Sequence, residues 1–210
     1  MVIDFSKAFD RCHIATLLRK LSEKGIKGEM LKVIKDLYTD AKAQLCINGK
    51  MGPQFNVTRG VAQGCALSPI FFNIYIDDLL TQFRKHKLGV PIGSLIQGAL
   101  SFADDLALIA PNENTAKKYI EVLEKWCKEN FFEVNIKKSG ILRVGNTRDS
   151  QQPNIRLNDT QIKLLEEKDP DSDSDEIDKF NYLGVHMPPN GSWNEYLDIR
   201  IKKSQQALGR

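Results

Sequence analysis

Residues 99–110 read Ala-Leu-Ser-Phe-Ala-Asp-Asp-Leu-Ala-Leu-Ile-Ala, two adjacent carboxylates inside an almost wholly apolar stretch. Apolar flanks of this length predict two buried strands, with the acids at the turn of a β-hairpin. Two adjacent carboxylates held against a core repel each other and lose hydration, which costs several kcal/mol unless positive charge compensates. A plain solvent-facing turn is the alternative, since Asp is common in turns. The flanks alone do not choose between the two. A second pair, Asp77-Asp78, falls near the end of an amphipathic helix. Acids on the outer face of such a helix are structural.

Asp4 supplies a partner for Asp104 and Asp105. Val2-Ile3-Asp4-Phe5 reads as the end of a strand just before a loop into a helix, and such strand ends are where enzymes of mixed helix and sheet place reacting groups. If that strand lies beside the 99–110 hairpin, three carboxylates converge. With no His or Cys in the group, the donors are hard oxygens, which select Mg²⁺ or Mn²⁺ over zinc. A pair of such ions about 3.5–4 Å apart is the usual device of phosphoryl transfer.

Composition narrows the setting. The chain has 210 residues, 41% apolar and 27% charged, enough to fold around a core. No run of about 18 apolar residues is present, so no membrane-spanning helix is expected, and the N-terminus lacks the pattern of a secretory signal. Cysteines 12, 46, 65 and 127 form no CxxC pair, which predicts reduced thiols in an intracellular protein. His13, His86 and His186 do not pair into a metal site. The net charge is +3, but between Glu166 and Asp178 eight acids stand against Lys168 alone, a net of −7, so the remainder carries +10. That surplus suits a polyanionic partner.

Periodicity predicts helices over 13–24, 28–40 (Met30, Leu31, Ile34, Leu37 and Tyr38 inward), from Ser68-Pro69 to about Lys87 with Ser68 as cap, and over 114–130. Strands are expected at 43–47 and 55–59 around an Asn48-Gly49 turn, at 141–144, in a hairpin around Asn158-Asp159, and at 182–187. Residues 166–178 read as a solvated acidic insert, and a basic helix is expected from Trp193 to Arg210. The short opening strand suggests a piece of a longer polypeptide.

Five segments then stand in an order that resembles the palm of reverse transcriptases, most closely those of non-LTR (LINE-type) retrotransposons. They are Ile3-Asp4-Phe5-Ser6-Lys7-Ala8-Phe9-Asp10, Gly60-Val61-Ala62-Gln63-Gly64-Cys65-Ala66-Leu67-Ser68-Pro69, Phe102-Ala103-Asp104-Asp105, Asn135-Ile136-Lys137-Lys138-Ser139, and Phe180-Asn181-Tyr182-Leu183-Gly184-Val185. They run from Ile3 to Val185, and the resemblance spans about residues 1–187. The resemblance implies an α+β palm, an antiparallel sheet packed on helices, over 1–187, with the start of a thumb or connection helix over 188–210. It implies an RNA-directed DNA polymerase, a nucleotidyltransferase that works on an RNA template, a DNA primer and deoxynucleoside triphosphates with two Mg²⁺ ions (or Mn²⁺), away from membranes, in the nucleus or cytoplasm.

Roles follow by the same resemblance. Asp4 and Asp104 would ligate the metals, with Asp105 in support, and Lys138 would help pyrophosphate leave. Main-chain groups of Phe5 and Ser6 would lie near the triphosphate. Phe9 would exclude a ribose 2′-hydroxyl, and Gln63 and Gly64 would pack on the incoming nucleotide. Tyr182, Leu183 and Gly184 would hold the primer end, and Asp10 would cap a helix. The fingers and most of the thumb are expected outside these residues. A group II intron maturase-type polymerase, and a non-catalytic nucleic-acid-binding relic, stay open as alternatives.

Overall fold

The computed structural model describes residues 1–144, 153–165, 180–182 and 185–187, and the single positions Leu197, Ile201, Ser204 and Gln205. The acidic segment 166–178, Leu183, Gly184 and Trp193 lie outside the described residues. The chain divides into two compact units, one of Met1–Asp4, Lys87–Glu121 and Val134–Arg210, the other of Phe5–His86 and Val122–Glu133.

The first unit is built on a five-stranded sheet. Its strands are β1 (Val2–Ile3), β6 (Ala99–Phe102), β7 (Asp105–Leu108), β8 (Gly140–Leu142) and β11 (Lys163–Leu165), in the order β11-β8-β1-β7-β6. The pairs β8-β1, β1-β7 and β7-β6 are antiparallel, and β11 runs parallel to β8. The hairpin expected at 99–110 is present, turning at Ala103-Asp104 with Ala103 at φ 51°. Alternation along the strands buries Ile3, Leu106 and Leu108 on one face. Leu100, Phe102, Asp105 and Ala107 take the other, where Phe102 is 65% exposed.

Smaller hairpins complete this unit: β4 (Val90–Ile92) with β5 (Leu95–Gln97), β9 (Arg156–Leu157) with β10 (Thr160–Gln161), and β12 (Phe180–Tyr182) with β13 (Val185–Met187). The single strand expected at 182–187 is instead divided between two arms of a hairpin: Tyr182 ends the first and Val185–Met187 form the second. The turn at Asn158-Asp159 is as expected, both residues lying at positive φ.

The second unit is mostly helical: α1 (Ala8–Arg11), α2 (Ile14–Glu23), α3 (Gly28–Tyr38), α4 (Ser68–Lys85) and the second half of α5 (Glu113–Asn130), with the ribbon β2 (Lys42–Ile47) and β3 (Lys50–Asn56). Its core is aromatic. Phe5, Phe72, Tyr75, Trp126 and Phe132 interlock with ring centroids 5.1–6.4 Å apart, a spacing that favours tilted and edge-on contact.

Three local expectations give way here. The return strand starts at Lys50 rather than Phe55, because the two-residue turn brings the chain back at once. Ser68 opens α4 without capping it. Leu67 holds the cap position, and Ser68 Oγ donates to the Ala62 carbonyl at 2.5 Å. On α3 only Ile34 is buried, while Met30 and Leu37 are exposed.

Asp77-Asp78 is structural, as expected, but not merely outward. Lys20, 4% exposed, sits 2.9 and 3.0 Å from the two Asp78 oxygens and donates to the Tyr75 carbonyl at 2.6 Å. Trp126 Nε1 donates to the same carboxylate at 2.8 Å. A buried ammonium without such partners is strongly destabilising, so Asp78 joins α2, α4 and α5 by satisfying it. Asp77 pairs with Lys24 and Arg84.

Candidate active site

In the sheet unit the acids meet at one end of the central strands. Val2 pairs with Ala107 and Ile3 with Leu106. One step further along that register brings Asp4 opposite Asp105, on the face that Ile3 and Leu106 do not share. Asp104 lies in the turn immediately before β7.

Electrostatics registers the approach. Burial pushes the Asp4 carboxyl above its ordinary range, and the charge of Asp104 pushes the same way, while the Lys138 ammonium and a hydrogen bond with the Asn135 side chain pull it back. Asp105 is raised by burial and then by the charges of Asp104 and Asp4. Three carboxylates about a hundred residues apart in sequence thus feel one another, and the Lys138 charge acts on Asp4 as well.

The segment 135–139 frames Asp4. Asn135 N donates to the Asp4 carbonyl at 2.8 Å, Asp4 N donates to Ser139 Oγ at 3.1 Å, and Ser139 Oγ donates to the Asn135 carbonyl at 2.9 Å. Ser139 is 5% exposed. Its hydroxyl uses both donor and acceptor capacity, so it fixes the Asp4 backbone at no cost in unpaired polar groups. Within this segment the sequence points to Lys138 alone as a site residue. The clue for Asn135 and Ser139 was their position inside the same motif, three before and one after Lys138.

The donor set suits a divalent cation of the hard class. Its ligand atoms are carboxylate oxygens, with no thiolate or imidazole among the three acids. Among the described residues no three of His, Cys, Asp and Glu gather closely enough to hold one ion. Mg²⁺ is ordinarily held by one or two carboxylates, water and substrate phosphates rather than by a full protein cage. A two-carboxylate site therefore fits it. A cavity of about 680 Å³ opens elsewhere in this unit, lined by residues such as Leu100, Ala107, Ile109, Leu142 and Val144, and none of the three acids lines it.

The helical unit carries the remaining positions. Phe9 stacks on Phe72 at 4.8 Å, with planes 16° apart. Both main-chain groups of Ser6 are engaged: its N–H donates to the Glu133 carbonyl at 2.8 Å, and its carbonyl accepts from Arg11 Nε at 2.9 Å. Lys7 adopts a left-handed conformation, φ 50°, as the residue before α1, a strain that accompanies functional turns. Asp10 makes no cap. Its Oδ1 accepts instead from Gln63 Nε2 at 3.1 Å. Gln63 and Gly64 lie in an exposed loop, Gly64 at φ 84°. Tyr182 ends β12.

A sequence profile described as "Reverse transcriptase (RNA-dependent DNA polymerase)" matches residues 1–187. The chain belongs to the reverse transcriptase family. It is 25% identical over 194 residues to the retrovirus-related Pol polyprotein of a type-1 retrotransposable element R2 from Popillia japonica, covering 90% of this chain and 30% of the relative. The counterpart in Nasonia vitripennis is 27% identical over 201 residues, covering 96% of this chain and 19% of the relative. The chain thus spans less than a third of these relatives' length, and the non-LTR resemblance is borne out by their kind. Telomerase from Candida albicans, solved with a fragment of telomeric RNA, superposes with a TM-score of 0.57 at 15% identity over 90% of this chain and 30% of that one. This likeness is one of fold, an α+β palm.

No helix among the described residues is long and apolar enough to cross a membrane.

Proposed function

We propose that this chain is the palm of a retrotransposon RNA-directed DNA polymerase, with the palm over 1–187 and a thumb or connection helix beginning after it. The observation that carries the reading is the meeting of Asp4 with Asp104 and Asp105, a hundred residues away in sequence, at the end of adjacent strands. The primer 3′-hydroxyl attacks the α-phosphate of a deoxynucleoside triphosphate paired with the RNA template. A phosphodiester bond forms as the α–β phosphoanhydride bond breaks, and pyrophosphate leaves.

Asp4 and Asp104 would hold two divalent ions, Mg²⁺ or Mn²⁺, and Asp105 would add to the local negative charge. When bound, such ions supply Lewis acidity at the attacking hydroxyl and offset charge on the leaving oxygens. Lys138, whose charge acts on Asp4, would give a proton or a positive charge to the departing pyrophosphate. Phe9, its ring braced by Phe72, fills the volume a 2′-hydroxyl would need. Gln63 and Gly64 contact the incoming nucleotide, and its phosphates lie near Phe5 and Ser6, with the Ser6 N–H and carbonyl remaining bonded to Glu133 and Arg11. Tyr182, Leu183 and Gly184 hold the primer end. The work belongs inside the cell, in the nucleus or cytoplasm, where template RNA is found.

Primer extension on an RNA template tests this. Extension should require Mg²⁺ or Mn²⁺, and Asp104→Asn should lower it by about a hundred- to a thousandfold, the scale on which removal of a transition-state electrostatic group acts. Undiminished extension by that variant would refute the assignment.

A further inference from the structure

The loop 60–64 is tied to the segment 9–12 at three points. Gly60 N donates to the Cys12 carbonyl at 2.8 Å, Val61 N to the Phe9 carbonyl at 2.9 Å, and Gln63 Nε2 to Asp10 Oδ1 at 3.1 Å. Gly60 lies at φ 93°, and a Cβ there would stand 3.0 Å from Asp10 Cα, so the two segments touch backbone to backbone. Val61 is buried, and the Ala62 carbonyl is held by Ser68. The loop backbone is therefore fixed to the segment that bears Phe9. What stays free by default is the Gln63 side chain, which is exposed and rich in rotamers.

We infer that Asp10 is a specificity-determining positioning residue, whose carboxylate holds the Gln63 amide in one orientation beside the segment that carries Phe9. A carboxylate only accepts hydrogen bonds. Gln63 must therefore turn its amino group toward Asp10, which leaves its carbonyl oxygen and second N–H for another partner. Asp10 stands in the first turn of α1 but makes no cap bond there. Its carboxylate serves the loop instead. Because Phe9 and Gln63 belong to one braced body, a loosened Gln63 should reach both nucleotide affinity and the discrimination between deoxyribose and ribose. The inference rests on the polymerase reading for its functional half, and on geometry alone for the hold itself.

Two measurements test it separately. In this chain, the side-chain amide protons of Gln63, assigned by their loss in Gln63→Ala, should exchange with solvent more slowly than in Asp10→Ala. Asp10→Asn, whose Oδ1 can still accept, should restore the protection. Equal exchange in the wild type and Asp10→Ala overturns the hold. In primer extension, Asp10→Ala should raise the KM for deoxynucleotide about 3- to 10-fold with kcat little changed, as expected for loss of one charge-assisted bond. It should also lower the preference for deoxynucleotides over ribonucleotides. Gln63→Ala should act alike, the double variant should be no worse than either single one, and Asp10→Asn should rescue. Additive effects, or an unchanged KM and preference, overturn the specificity role. If the wild type extends no primer, the polymerase reading and the specificity role both fall, and the exchange result decides the hold by itself.

Discussion

Asp4 and Asp105 each hold a proton more readily than a free aspartate, because folding buries them and sets other carboxylates beside them. The sign of the consequence follows from linkage. In the unfolded chain both titrate near the ordinary aspartate value of 3.8, and in the folded chain they titrate higher. Between those two values the folded state binds more protons, so stability falls as pH rises through that window and stays low above it. At neutral pH the acid cluster is thus a standing cost to the fold. Asp105→Asn should raise the melting temperature by about 1–2 °C at pH 7, since partial exposure limits the gain to a fraction of a kcal/mol. It should give no gain at pH 3. Calorimetry at the two pH values checks this, and a gain that is the same at both, or absent at both, contradicts the account. The cluster is legible in sequence only through the order of the five segments, because adjacent carboxylates inside an apolar run fit a solvent-facing turn equally well. The frame around Asp4 was not. Ser139 and Asp4 are 135 residues apart, and a serine hydroxyl that closes two main-chain gaps leaves no periodic signature. The bond of Asp10 is hidden for a related reason: an acid in the first turn of a helix suits the dipole, and only the folded loop brings Gln63 to it.

At the scale of elements, strands announce themselves when their apolar runs are long. The 99–108 hairpin is such a case, and so is α5, whose Tyr119, Ile120, Leu123, Trp126 and Cys127 are all buried as the spacing predicts. The hairpin β4-β5 escaped notice. Its arms have three residues each, and one contains Pro91, so neither alternation nor length marks them. What fixes that hairpin is the approach of backbones around Gly98. A Cβ on Gly98 would overlap the Leu88 carbonyl oxygen and the Tyr119 hydroxyl. Neither can retreat easily, the first being main chain and the second the end of a fully buried ring. Gly98→Ala should therefore destabilise the protein by about 2–3 kcal/mol, the cost of overpacking a rigid site. That amounts to a fall in melting temperature of roughly 4–12 °C for a chain of this size. Gly93→Ala, at the tip of the same hairpin with open space around it, isolates backbone strain from crowding. An equal loss from both would show that crowding at Gly98 is not the cause.

Across the whole molecule the decisive quantity is charge and where it lies. The net value of +3 conceals an uneven distribution: outside 166–178 the chain carries +10. A polymerase must hold a nucleic-acid duplex loosely enough to move along it, and phosphate affinity follows the number of neutralised phosphates and the salt concentration. Eight acids within thirteen residues repel such a duplex over about a Debye length, roughly 8–10 Å at physiological salt. Such a field weakens long-range attraction to phosphate. Replacing those eight acids with their amides should therefore tighten binding to an RNA–DNA hybrid several-fold at about 50 mM salt and make little difference at about 0.5 M, where screening is short. The slope of log affinity against log salt should steepen, as more of the attraction becomes electrostatic. Equilibrium binding measured by fluorescence anisotropy across that range separates the outcomes. Tighter binding that persists at high salt would mean that the substitutions create contacts rather than lift repulsion. Unchanged binding at low salt would mean that the acidic segment lies too far from the bound duplex for its field to be felt.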